Sequence, residues 1–200
     1  MLPKEYAREA LKRGLAYQER IGANPFKFGM IGASDSHTAL ATTRDDNYFG
    51  KFAGNEPRGD RWDHFVIRSF SGDEKLSTFA YEEVASGLAA VWATENTREA
   101  LFDAMQRKEV YATSGTRIKL RTFAGFDLPQ AILQEDGIAA AYAAGVPMGG
   151  TLEGKGAGLD VFVWAIRDPD GAPLQKVQLI KGWIEDGERK ERVFDIACSG

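Results

Sequence analysis

The sequence predicts a mixed α/β fold, with an α/β part over residues 1–116 and a mainly antiparallel β part over 117–200. Three observations carry this expectation. An amphipathic stripe over residues 3–20 leads through a short loop into an apolar run of strand length beginning at Phe28, one helix-to-strand step. A second step follows at 88–112, where an apolar run, a capped helix and a returning apolar run succeed one another. Beyond Ile118 the periodicity shortens to that of strands, and tight-turn signals separate the runs.

In the first helix Tyr6, Ala10, Leu11, Gly14, Leu15 and Gln18 form the apolar stripe, while Lys4, Glu5, Arg8, Glu9, Lys12 and Arg13 cover much of the rest. Pro3 suits the first turn and Gly22 the exit. Asn24-Pro25 then forces an extended or turning backbone before a buried strand at Phe28-Gly29-Met30-Ile31. Residues 38–85 show no sustained period. Within them Asp45, Asp46 and Asn47 read as loop residues that cap, orient Thr38 or face solvent, and residues 54–60 as a mobile surface excursion. Trp62, Phe65, Ile67 and Phe70 are expected to cover an edge of the α/β part, under a loop long enough to act as a lid.

Order returns with a strand at 88–93. Asn96 or Thr97 then caps a helix to about Lys108, with Glu99 placed for a capping box on Asn96 and Ala100, Leu101, Ala104 and Met105 facing inward. A strand at 110–112 ends in the hydroxyl-rich turn Thr113-Ser114-Gly115-Thr116. Strands are expected at 118–123, 159–166, 174–184 and 192–197, with a short Ala-rich helix at 137–144 and turns at Asp168-Pro169-Asp170-Gly171 and Asp186-Gly187.

Composition narrows the function classes. A net charge of −4 offers no electrostatic footprint for nucleic acid or an anionic membrane. No apolar run reaches the roughly 18 residues of a membrane-spanning helix. The one cysteine, Cys198, excludes an internal disulfide and a cysteine-rich zinc site, and reads as a buried or edge-strand thiol.

The chemistry concentrates in Ser34-Asp35-Ser36-His37-Thr38, at the end of the Phe28 run. Asp35 and His37 are two apart, so an extended backbone would send both from one face. A carboxylate beside an imidazole suits zinc, manganese or iron. The alternative is a turn capped by Ser34 or Asp35, with His37 at the surface. Lys51 would steer an anionic substrate or be solvated, and His64, without supporting spacing, is expected not to be a ligand.

Four segments in order resemble a bacterial family of proteins of unknown function (DUF3604). They are Gly32-Ala33-Ser34-Asp35-Ser36-His37-Thr38 with Asp45-Asp46-Asn47-Tyr48-Phe49-Gly50-Lys51; Ala100-Leu101-Phe102-Asp103-Ala104-Met105 running into Tyr111-Ala112-Thr113-Ser114-Gly115-Thr116-Arg117-Ile118; Gly145-Val146-Pro147-Met148-Gly149-Gly150; and Gln178-Leu179-Ile180-Lys181-Gly182-Trp183. That family is similar to the polymerase and histidinol phosphatase (PHP) superfamily of metal-dependent hydrolases.

The resemblance implies that residues 1–116 are the C-terminal part of a PHP-like α/β barrel, and that 117–200 are a β-rich domain incomplete at its end. It implies a cluster of two or three divalent ions in the intact parent, with Asp35 and His37 among the ligands. Ser34, Thr38, Thr113, Ser114 and Thr116 become contacts to those ligands or to the substrate. The superfamily's earlier His-x-His motif is absent, so a missing N-terminal half of the barrel is the expected partner and no location is read from the N-terminus. The implied activity is hydrolysis of a small-molecule phosphoester by metal-activated water, weak in this chain alone. A metal-dependent deacylase uses the same nameable residues. A non-catalytic binding or structural module, presenting Trp164 and Trp183 and keeping the metal motif as a relic, is the third possibility.

Overall fold

Helix α1 (Ala7–Ile21) ends at Gly22, which takes the left-handed conformation and donates its N–H to Gln18 O, the exit the sequence predicts. The computed structural model describes residues 6–40, 44, 47–54, 56–154 and 158–199. The expected start at Pro3, and the roles considered for Asp45 and Asp46, lie outside them. Two compact units result, one of Met1–Gly29 with Arg167–Gly200 and one of Met30–Ile166.

In the second unit strands β1 (Phe65–Ile67) and β2 (Thr78–Phe79) form a short antiparallel pair. Strand β3 (Leu88–Val91), helix α2 (Arg98–Gln106) and strand β4 (Val110–Thr113) follow. Thr97, not Asn96, caps α2 by accepting from Ala100 N, and Ala104 is fully buried on its inner face. Strand β5 (Lys119–Gly125), helix α3 (Gly137–Ala144), strand β6 (Val146–Pro147) and strand β7 (Asp160–Ile166) complete the unit. β5 lies between β6 and β7, in unbroken antiparallel register with β7 from Lys119↔Ile166 to Gly125↔Asp160. The core is Phe123, Ile132 and Ala141, with Leu128, Ile138 and Phe162 packed around it. The change of composition at residues 116 and 117 falls inside this unit, between β4 and β5.

In the first unit strands β8 (Lys176–Glu185) and β9 (Glu188–Cys198) form a hairpin. Asp186 and Gly187 both have positive φ, 53° and 74°, as the Asp-Gly signal requires of a two-residue mirror-image turn. The side of α1 that meets the hairpin is the charged one, contrary to expectation. Arg8 pairs with Glu191, Lys12 lies 3.2 Å from Glu191 and 3.0 Å from Glu9, and Leu15 stays 37% exposed. The hairpin carries complementary charges, and Gly182 leaves room for the Lys12 stem, where a Cβ would fall 3.2 Å from its Cγ. The Arg8 guanidinium holds the Glu191 carboxyl down to about 2. Cys198 is exposed at the end of β9.

Other expectations need correction. Among the described residues no barrel is found: every sheet is antiparallel and has two or three strands. β3 and β4, which a barrel would align in parallel, are antiparallel: the chain leaving β3 returns beside it, and Trp92 N donates to Glu109 O at 2.9 Å. The run at Phe28 is no buried strand. Phe28, Met30 and Ile31 are 41%, 45% and 58% exposed, and Gly32 N and Ser34 O make single backbone bonds to Leu88 O and Ser86 N instead of a ladder. Trp62 and Phe70, expected to cover an edge, are 72% and 108% exposed. Glu56, read as part of a surface excursion, is instead buried: its N–H bonds to Phe52 O and its side chain is only 1% exposed. No described helix is long and apolar enough to cross a membrane.

Candidate functional site

Gly32 sets the path into the site. A Cβ there would fall 2.6 Å from Leu88 O and 2.7 Å from Thr113 O, so only glycine lets this segment lie against the start of β3 and the end of β4. Asp35 then has φ 55°, a left-handed conformation that aspartate tolerates better than most residues. The same-face argument from extended backbone therefore does not apply. A sharp turn brings the side chains together instead, with Asp35 Oδ1 3.1 Å from His37 Nε2.

The other carboxylate oxygen, Asp35 Oδ2, accepts an ion pair from Lys51 Nζ at 2.7 Å. Lys51 also lies 3.5 Å from Glu83 Oε2. His37 N donates to Lys51 O at 2.8 Å, and the His37 ring meets Phe52 edge-on at 4.9 Å. The Lys51 ammonium and then His37 hold the Asp35 carboxyl below its usual range, and Asp35 in turn raises Lys51. Asp35 and His37 keep more than half of their side-chain surface in solvent, whereas Lys51 and Glu83 are largely covered.

A buried brace stands beside this group. Arg61 Nη2 donates to Ala80 O at 2.6 Å and to Glu83 O at 3.0 Å, fixing the backbone that carries Glu83. Its Nε lies 3.2 Å from Glu56 Oε1, an ion pair without hydrogen-bond alignment. The guanidinium sits 5.6 Å over the Tyr48 ring. Burial, then the Glu83 charge, raises the Tyr48 phenol. Sequence reasoning singled out none of Glu56, Arg61 and Glu83, and quoted Tyr48 only within the family segment. They come from an aperiodic stretch with no motif spacing, and only the joint occurrence of buried-type and charged residues there could have marked them.

The remaining predicted residues divide. Ser34 Oγ accepts from Ser36 N at 3.3 Å, while Thr38 Oγ1 shares a 2.8 Å hydrogen bond with Ser36 Oγ and accepts from Leu40 N at 3.2 Å. Both hydroxyls shape the turn. Thr113 Oγ1 is buried without a hydrogen-bond partner among the described residues, and Thr113 O lies against Gly32. Ser114 and Thr116 are exposed after β4, and among the described residues no hydrogen bond joins them to Asp35 or His37. His64 Nε2 is buried without a hydrogen-bond partner among the described residues.

Two donors on one tetrahedral zinc, each at about 2.0–2.2 Å, stand about 3.3–3.6 Å apart. The 3.1 Å between Asp35 Oδ1 and His37 Nε2 is a hydrogen bond a few tenths of an ångström shorter than that spacing, so a small opening of the pair would fit two positions of one ion. Among the described residues no group of three or more such side chains assembles. The fold and site thus define a mixed α/β protein with an exposed Asp–His pair backed by a lysine and a braced glutamate. The chain belongs to the family described as Protein of unknown function (DUF3604), whose model matches residues 1–200. No curated protein and no solved structure was found to match it.

Proposed function

We propose that the chain supplies Asp35 and His37 as ligands in a PHP-like metal-dependent hydrolase acting on a small phosphoester. The proposal includes the membership of the PHP superfamily and the barrel that the sequence resemblance implies. The remaining ligands would come from an upstream His-x-His segment, residues 1–116 being the C-terminal part of that barrel. The observation that carries the proposal is the 3.1 Å approach of a carboxylate oxygen and an imidazole nitrogen at an exposed turn. Bound zinc, manganese or iron would supply hydroxide near neutral pH, by lowering the pKa of its water to about 7. Asp35 and His37 would fix the position of that ion. Phe52 and the backbone bond from His37 to Lys51 hold the imidazole in place.

The test is zinc content after dialysis, with hydrolysis of an aryl phosphate, for the wild-type chain and for Asp35→Ala with His37→Ala. Zinc retained by the wild type should fall in the variant, and any hydrolysis should fall with it. Equal zinc in both contradicts the assignment. One observation favours a non-catalytic module instead: Lys51 already neutralises Asp35 at 2.7 Å. If so, the wild type retains no more zinc than the variant and hydrolyses nothing.

A further inference from the structure

Lys51 places a positive charge at the predicted ligand pair, and its two acceptors differ. Its ammonium lies 2.7 Å from Asp35 Oδ2 and 3.5 Å from Glu83 Oε2. The Asp35 side chain is 56% exposed, whereas that of Glu83 is 14% exposed. Arg61 holds the Glu83 carbonyl, so Glu83 is presented on fixed backbone. A shift of the ammonium by about 1 Å toward Glu83 would bring it to charge-assisted hydrogen-bond distance there and loosen its hold on Asp35 Oδ2, which a metal ion would then displace. The lysine backbone need not move, because Lys51 O stays bonded to His37 N.

We propose that Lys51 is a resident counter-ion exchanged for the metal: an ion entering on Asp35 and His37 drives the Lys51 ammonium from Asp35 onto Glu83. Glu83 then sets the affinity of a site that it does not ligate, by giving the displaced charge a place to go. The inference rests on Asp35 and His37 being ligands. No proton is transferred and no covalent bond changes; one ion pair replaces another. Lys51 as an anchor for an anionic substrate is the weaker assignment, since two carboxylates already surround its charge.

The experiment is a zinc titration followed by the His37 ring resonances, in the wild type, Lys51→Met, Glu83→Gln, the double variant and Asp35→Ala. Removing Lys51 should tighten zinc roughly fivefold, because an ammonium no longer competes for Asp35. Glu83→Gln alone should weaken it roughly threefold. In the Lys51→Met background Glu83→Gln should change little, because no displaced charge remains to be accommodated. Lys51→Gln repeats the measurement with a polar side chain should the methionine perturb folding. An unchanged or weaker affinity in both Lys51 variants overturns the exchange. So does an equal effect of Glu83→Gln with and without Lys51, which marks a simple additive field, or a larger effect without it, which makes Glu83 a ligand. Zinc affinity unchanged in Asp35→Ala, or no zinc response in the wild type and Lys51→Met alike, contradicts the ligand assignment itself and the exchange with it.

Discussion

Residues 30–87 and 88–166 lie in one compact unit but are held by different forces. In the later region β5 and β7 pair over seven residues, and Phe123, Ile132 and Ala141 close a small apolar core. In the earlier region the strands have three and two residues, and large apolar side chains face outward, with Leu76 and Val84 68% and 51% exposed. What it buries is small or polar: Ala80 and Ala85, Glu56 against Arg61, and the Tyr48 hydroxyl. Apolar packing tolerates little motion and offers no chemistry, whereas polar ties on irregular backbone hold charged groups where they can exchange partners. The Asp35–His37 pair belongs to the second kind of region.

The comparison can be broken most sharply at its apolar end. Phe123→Ala should destabilise the unit by about 3–5 kcal/mol, read from urea unfolding, because it empties the centre of the core. A loss below about 1 kcal/mol would deny that this core dominates stability. Arg61→Ala should cost about 2–3 kcal/mol, because Glu56 would stay buried without its cation. Its effect should be local, with hydrogen exchange rising over the described residues of 47–86 and little change in β5 and β7. Uniform exchange throughout would erase the distinction between the regions.

Asp35→Ala with His37→Ala should leave the thermal unfolding midpoint nearly unchanged, since both side chains are largely solvated. A large loss in thermal unfolding would make the pair a structural element. The smallest effect is expected from acid. Lys51 and His37 lower the Asp35 carboxyl from its ordinary 3.8, so its contribution is complete above 3.8 and is lost as pH falls through the lower folded value. The side-chain carboxyl resonance of Asp35 should therefore titrate with its midpoint below 3.8. A midpoint above 3.8 would reverse the sign and deny the ion pair.

Regular elements were legible where local chemistry decides them. Asp186-Gly187 specified its hairpin, residues 137–144 their helix, and Gly22 the end of α1. The Phe28 run misled because apolar composition marks a strand only when a partner ladder exists, and none forms on it. Charge periodicity misled for α1 because the complementary charges lie in the hairpin, more than 170 residues away in sequence. Asp35 and His37 were legible as a pair, but the turn that joins them was not, since aspartate carries no obligatory signal for a left-handed conformation. Glu83 was invisible because its relation to Lys51 depends on tertiary placement by Arg61.

The most direct test of the central claim locates the metal by paramagnetic broadening. Manganese added in small amounts to the isotope-labelled chain should first broaden Asp35, His37 and Lys51, and Asp35→Ala with His37→Ala should abolish that pattern. Broadening centred instead on another carboxylate cluster, such as Glu9 and Glu191 beside α1, and unchanged in the double variant, would contradict it.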